Sequence, residues 1–306
     1  MFKLIRPLYV NKKYAGKKFP TKPRRKIKPH DIVDKFKTPK FVRKCTPITT
    51  LGSCFAQRLA DWLVTNNFNY LDGKWDRVYS PRTVRQTIQM AFEPETLTIA
   101  EHYWKFENDW GYPYIKSDSG RPLQLPNDAK AADKIVKIYY DYFKSTLSQC
   151  EVIIITYGQT EVWSHKDAPN TAFYAAPFKG IENGNINHIC QDLSIADIVS
   201  ETRKIMTLIQ CYNPLAKVIF SISPIPPVAT ISKNYSAYIA SNHTKSKLHS
   251  AVLEEIPKYE NAFYMPSFEW VYAHPYDAFT EDGRHVPQTY ADSIMEIFNE
   301  LYVKND

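Results

Sequence analysis

A serine stands where an apolar run stops. Pro47-Ile48-Thr49-Thr50-Leu51 gives way, through Gly52-Ser53-Cys54-Phe55-Ala56, to an amphipathic pattern carried by Phe55, Leu59, Trp62 and Leu63. A hydroxyl at a strand-to-helix junction is lifted clear of the sheet edge and lies beside the free amides of the helix start, where negative charge is stabilised. That placement suits a nucleophile, and it equally suits an N-cap, for which serine is a favoured residue. A serine nucleophile needs a base to take its proton, a group to orient that base, and donors for the oxyanion. Of the eight histidines, only His285 has a local setting of this kind, Thr280-Glu281-Asp282-Gly283-Arg284-His285-Val286-Pro287. An aspartate three residues before a histidine, with a glycine between, folds back onto Nδ1 and fixes the tautomer. A solvated loop pair is the competing reading. Cys54 is a second candidate nucleophile because helix N-termini favour thiolates; a small buried cysteine opening the helix is the simpler account.

The elements that must position these groups follow one rhythm. An opening strand and helix span about 47 to 66, and Ser80-Pro81 starts a helix running through Val84, Ile88 and Met90 to Glu93, with serine as cap and proline in the first turn. A further helix is expected over about 128 to 148. The unbroken run Val152-Ile153-Ile154-Ile155-Thr156-Tyr157 reads as a strand buried on both faces of a parallel sheet. It ends in Gly158-Gln159-Thr160-Glu161. Residues 164 to 193 read as a loop region. A helix near 194 to 212, a strand at Lys217-Val218-Ile219-Phe220-Ser221-Ile222, a helix near 238 to 255, a short strand at Ala262-Phe263-Tyr264-Met265 and a last helix near 288 to 302 complete the chain. Alternating strands and helices imply a parallel sheet with helices on both faces and sites at the carboxyl ends of the strands. Ser53, Gly158 to Glu161, Ser223 and the loop after residue 265 all fall there.

Charge divides the chain of 306 residues unevenly. Residues 1 to 44 hold sixteen Lys or Arg against Asp31 and Asp34, a balance of +14, so the remainder carries 39 − 16 = 23 bases against 32 − 2 = 30 acids, or −7. The basicity belongs to an N-terminal arm whose prolines at 7, 20, 23, 29 and 39 forbid a long helix. It reads either as a handle for an anionic glycan or a membrane surface, or as a solvated arm wrapped over the domain that begins at residue 45. Nucleic acid ranks lower as a partner. Residues 94 to 127 break the rhythm with Trp104, Phe106, Trp110, Tyr112 and Tyr114 among charges, either an aromatic-rich insertion that suits sugar rings or a satellite cluster under a long loop. Five scattered cysteines without a C-x-x-C pair read as free thiols in a reducing compartment. No apolar run is long enough for a transmembrane segment, and Met1-Phe2-Lys3-Leu4-Ile5-Arg6 is broken too soon for a signal peptide, so the expectation is a cytoplasmic address, either free or peripheral to a membrane. No metal site is expected.

Taken together, the ordered blocks resemble those of the SGNH/GDSL hydrolases. More specifically, Leu51-Gly52-Ser53-Cys54-Phe55-Ala56 is similar to the signature of the GSCFA family within that superfamily. So are Tyr157-Gly158-Gln159-Thr160-Glu161-Val162-Trp163, Ser223-Pro224-Ile225-Pro226, Tyr264-Met265-Pro266-Ser267-Phe268-Glu269 and Asp282-Gly283-Arg284-His285, a resemblance spanning roughly residues 46 to 300. It implies a flavodoxin-like three-layer α/β/α fold, with Ser53 as nucleophile, His285 as base and Asp282 as its orienting acid. It also implies an oxyanion hole from the Ser53 amide, a second-block glycine and an Asn in a G-x-N-D block. Here Thr160 takes the Asn position, and Tyr79-Ser80-Pro81-Arg82 takes the place of the second block, leaving the Ser80 amide or Arg82 to serve. Gln159 and Glu161 are expected either to contact substrate or to act as a helix-start cap and a structural carboxylate.

The expected activity is acyl-ester chemistry on a carbohydrate, with acetyl as the expected acyl group. No cofactor is required for hydrolysis, whereas acyl-CoA is the expected donor if the same triad transfers the acyl group to a glycan. A non-catalytic glycan-binding protein with a degenerate oxyanion hole is the alternative from another class.

Overall fold

The computed structural model describes residues 27–33, 36, 38–75, 77–96, 105–106, 109–110, 128–166, 168–172, 188–274 and 277–304. Strand β1 (Ile48–Gly52) runs straight into helix α2 (Cys54–Thr65), preceded by the short α1 (Pro29–Val33). Helix α3 (Pro81–Phe92) begins with Ser80 as N-cap in a capping box with Thr83 and with Pro81 in the first turn. A two-residue antiparallel pair, β2 (Lys105–Phe106) and β3 (Asp109–Trp110), precedes α4 (Ala129–Gln149). Then come β4 (Val152–Tyr157), β5 (Glu161–His165), β6 (Ala168–Ala172), β7 (His188–Asp192), α5 (Ile195–Tyr212), β8 (Lys217–Ile222), α6 (Ala237–Glu255), β9 (Ala262–Met265), α7 (Ser267–Ala273) and α8 (Gln288–Tyr302).

The central sheet is parallel, in the order β1-β4-β8-β9. On the far side of β1, Tyr70 adds a single parallel bridge to Ile48, framed by Ile48 N–H to the Asn69 carbonyl at 2.9 Å and Leu71 N–H to the Ile48 carbonyl at 2.8 Å. The chain therefore leaves β1 in two directions, and the carboxyl end of β1 is a switch point where such sheets open a crevice.

Strand β4 shows why the sheet is buried on both sides. Ile153, Ile155 and Tyr157 face a core that includes Ile88 of α3, Phe143 of α4, Met206 of α5 and Leu248 of α6. Val152 and Ile154 face the other core, with Phe55 and Leu59 of α2 and Ile294 and Phe298 of α8. Side chains alternate across a strand, so an unbroken apolar run is what a sheet covered on both faces requires. The result is three layers, helices on sheet on helices, as expected.

Two expectations need correction or restriction. Residues 164 to 193 are not a plain loop: β5 is the middle strand of a three-stranded antiparallel sheet in the order β6-β5-β7, already begun at Glu161. Its register is carried by residues that do not alternate cleanly, with an irregularity between Ser164 and His165 and with Pro169 inside β6. As for the basic arm, residues 1–26 lie outside the described residues, as does most of the 94–127 insertion. What is described of the arm is packed onto the body: Val42 bridges Val303, and Ile27, Val33 and Val42 are buried in the α2 and α8 core. Among the described residues no helix is long and apolar enough to cross a membrane.

Candidate active site

Gly52 brings the end of β1 against the end of β4. A Cβ there would lie 2.4 Å from the Thr156 carbonyl oxygen, at a φ of +157°, so only glycine fits. Ser53 follows, 3% exposed, as the N-cap of α2, with the Phe55 N–H donating to its Oγ at 3.3 Å. The bond is long, and the hydroxyl proton has no acceptor among the described residues. The cap geometry and the exit from the strand are one arrangement: the residue that closes the helix start also aims its oxygen into the switch-point crevice. Cys54 is the first residue of α2, partly exposed and a free thiol.

The Asp282 to His285 loop is bound to itself. The Asp282 carboxylate accepts the Thr280 hydroxyl at 2.6 Å, the Arg284 N–H at 2.9 Å and the His285 N–H at 3.0 Å, and its second oxygen contacts His285 Nδ1. Gly283, at a φ of +66°, supplies the turn that lets the chain fold back. Led by the Thr280 hydroxyl and the two amides, with the imidazole adding to them, these donors hold the Asp282 carboxyl well below the usual carboxylate range. An ionised carboxylate only accepts, so Nδ1 carries a proton, and in the neutral imidazole Nε2 is then the acceptor. The loop enters α8 beside α2, where Arg58 Nη1 meets Gln288 Oε1 at 3.4 Å. No hydrogen bond joins His285 Nε2 to Ser53 Oγ among the described residues.

Ser53 also lines an open cleft walled by Gly52, Gln57, Tyr70 and Trp75. The wall is fastened to β1: Trp75 Nε1 donates to the Thr50 carbonyl at 2.8 Å, and the Val78 N–H to the Gly52 carbonyl at 2.7 Å. Burial pushes the Tyr70 phenol up to about 12, so it stays protonated. Behind Ser53 lies Gly158, where a Cβ would stand 3.0 Å from Ser53 Cβ and 3.6 Å from Oγ. The Gly158 carbonyl accepts Lys245 Nζ at 2.7 Å.

The GSCFA family profile matches residues 47–298. The chain belongs to the GSCFA family. No match is found among the curated proteins. Solved structures similar to this GSCFA chain include a carbohydrate esterase family 3 protein from Talaromyces cellulolyticus, at 11% identity and TM-score 0.33 over 83% of this chain and 95% of that one. A Clostridium thermocellum family 3 carbohydrate esterase is similar at 11% identity and TM-score 0.33, over 84% and 95%.

Within this GSCFA site the other expected residues separate. Thr160 is fully buried and its hydroxyl is engaged by Asp192 Oδ1 at 2.5 Å and lies 3.2 Å from the Thr244 hydroxyl, a structural tie between β5, β7 and α6 in place of an open donor. The amides of Gly158 and Gln159 both donate to the Tyr79 carbonyl, at 2.8 and 3.1 Å. Glu161 is the structural carboxylate of the two readings: it accepts the Thr230 hydroxyl at 2.5 Å and the Ile231 N–H at 3.0 Å, pinning the segment after β8. Ser80 is spent on the α3 cap. Arg82 faces away into a buried network, donating to Glu201 at 3.4 Å, the Pro169 carbonyl at 3.1 Å and Gln191 at 3.0 Å. The long guanidinium finds its acceptors across α5 and the small sheet.

Two residues at the site were not anticipated. Thr280 gives Asp282 its shortest described hydroxyl partner, and the T-x-D spacing is the signal for it. Lys245 is 3% exposed on the stripe of α6 that also buries Thr244, Leu248 and Val252, and a charge in the apolar phase of a helix is a visible anomaly. Among the described residues no group of three or more His, Cys, Asp or Glu side chains is placed to hold a metal ion.

Proposed function

We propose that this GSCFA chain is a serine-dependent acyl-ester enzyme of SGNH type acting on an acylated carbohydrate, acetyl esters foremost. The reading is carried by one observation: the Asp282 and His285 pair is pre-built, with Nδ1 committed as donor and Nε2 left as acceptor, on a loop that enters beside the helix capped by Ser53. In the proposed reaction Ser53 Oγ adds to the ester carbonyl while His285 Nε2 takes its proton. The tetrahedral intermediate collapses, and the leaving alkoxide takes that proton from His285. Water, activated by the same imidazole, then releases the carboxylic acid and restores Ser53. The cleft beside Ser53, walled by Gly52, Gln57, Tyr70 and Trp75, would take the acyl group. The sugar would then lie outside it.

A second reading, a glycan-binding protein without turnover, is favoured by the engagement of the Thr160 hydroxyl with Asp192 and of the Gly158 amide with Tyr79. One experiment separates the two. Wild type should release acetate from p-nitrophenyl acetate and acetylated xylan and take a fluorophosphonate label, and Ser53→Ala should do neither. A Ser53→Ala protein with full activity overturns the triad. Acetyl transfer from acetyl-CoA to a glycan in place of acetate release assigns the acyltransferase form.

A further inference from the structure

Lys245 reaches the backbone of Gly158, the residue packed behind Ser53, and the triad does not use it. Its side chain is buried, and Nζ has a single hydrogen-bond acceptor among the described residues, the Gly158 carbonyl at 2.7 Å. An ammonium has three N–H groups, so two remain unspent. Cys54 on α2 is the titratable neighbour that opposes, to a lesser extent, the lowering of Nζ by burial. Asp192, tied by Thr160 to the neighbouring Thr244, is itself paired with Lys247 at 2.5 Å. Among the described residues no hydrogen bond or ion pair joins Nζ to an ionisable group of α5 or β8, which pack on α6. A second orphan stands close by: the Thr156 hydroxyl, at the end of β4 against Gly52, is buried without a partner.

Burying an ammonium with one neutral acceptor is costly, and lysine is rarely buried unless paired. Holding a carbonyl needs only a neutral donor, so the charge itself is unexplained by packing. The expected donors for a developing oxyanion are, meanwhile, engaged elsewhere. The Ser53 N–H leans on the Thr156 carbonyl at 3.3 Å, the Gly158 N–H serves Tyr79, and the Thr160 hydroxyl is engaged by Asp192.

We propose that Lys245 is a catalytic residue of this site, its Nζ anchored on the Gly158 carbonyl and donating a spare N–H to the oxyanion formed when Ser53 Oγ adds to the ester carbonyl. The proposal rests on the Ser53 reading above. During addition the carbonyl π pair moves to oxygen and the hydroxyl proton goes to His285; no proton leaves Lys245. Collapse returns the pair to the carbonyl and frees Nζ. Burial lowers the ammonium to about 7, so its charge is present below neutrality and fades above it, and the help it gives turnover fades in the same direction.

The test compares wild type, Ser53→Ala, Lys245→Met and Lys245→Gln on p-nitrophenyl acetate across pH 5 to 10, with thermal midpoints. The expected result is a fall in kcat of about 100-fold or more for Lys245→Met with KM within threefold, loss of the fall in activity above neutrality, and a thermal midpoint equal to or above wild type. Lys245→Gln keeps a neutral donor and guards against a folding failure; it should lose the same pH dependence. A folded Lys245→Met with kcat within threefold of wild type overturns the proposal while an inactive Ser53→Ala leaves the nucleophile standing. Activity lost with a lowered midpoint and an unchanged pH profile assigns a structural lysine and overturns it too. Full activity in Ser53→Ala, or an inert wild type, removes the nucleophile and the proposal together.

Discussion

Gly158 is the residue on which the Ser53 geometry turns most sharply. A methyl group there would stand 3.0 Å from Ser53 Cβ, and the backbone has no room to retreat because the Tyr79 carbonyl holds the amides of residues 158 and 159 together. Gly158→Ala should therefore displace the Ser53 side chain, cutting turnover or fluorophosphonate labelling tenfold or more while shifting the denaturation midpoint little. Asp282→Asn tests the opposite partner. Asn keeps the Oδ1 acceptor for the turn but presents an NH2 to Nδ1, driving the proton to Nε2, and the loss expected in a Ser-His-Asp arrangement is on the order of 10³–10⁴ in kcat. The sign with pH follows from the lowered Asp282 value. A carboxyl held low in the folded state contributes stability above its unfolded value of 3.8 and loses it only as pH falls toward the folded value. The deficit of Asp282→Asn should thus persist at every assay pH above about 5, and one confined to the acid range would refute the assignment. At this scale the sequence was readable where partners are near in the chain: Asp282 and His285 are three apart, and Ser53 lies at the junction of two patterns. Thr160 was not, because the acceptor that captures its hydroxyl lies 32 positions further on.

The strands of the main sheet and the long helices that cover it lie within a residue or two of their expected bounds, whereas α7 stands where a loop after residue 265 was expected. The β6-β5-β7 sheet is likewise not announced by periodicity, since its strands are short and one carries Pro169. What fixes it is side-chain chemistry from a helix. Gln86 of α3 exchanges two hydrogen bonds with the backbone of Ala172, at 2.8 and 2.6 Å, and Arg82 and Arg85 reach the carbonyls of Pro169 and Asn170 while sharing Glu201 of α5. Removing one partner of a buried ion network leaves uncompensated charge, so Glu201→Ala should destabilise the protein by about 3–5 kcal/mol in urea denaturation. A loss below about 1 kcal/mol would mean that the remaining acceptors satisfy both guanidinium groups. This polar clamp holds the small sheet, and through Asp192 it bears on the Thr160 position; no pattern of hydrophobic spacing encodes it.

Across the whole molecule, the N-terminal basic segment is where composition and packing part company. Charge counts make residues 1 to 44 one arm, yet Ile27, Val33 and Val42 belong to the core beneath α2 and α8, and Thr38 donates to the Leu301 carbonyl at 2.7 Å. Deleting residues 1–44 should remove three buried aliphatic side chains worth about 1.5–3 kcal/mol each, and so lower the thermal midpoint markedly. An unchanged midpoint would show that these contacts are dispensable. Charge could not reveal this because the apolar anchors are sparse among lysines. The sheet itself is unequally fastened: β4 is laddered on both sides along its length, whereas among the described residues the outer side of β1 is met by one bridge at Tyr70, by the Thr49 hydroxyl on the Leu71 carbonyl, by the Trp75 indole on the Thr50 carbonyl and by the Val78 amide. The stretch carrying Tyr70 and Leu71, together with Val78, is therefore the part of the site expected to open by local unfolding at the lowest free energy. In hydrogen-exchange experiments the Leu71 and Val78 amides should exchange well before those of Ile153 to Ile155, and the wall of the acyl cleft would then be a breathing flap, admitting acyl chains longer than its closed volume holds.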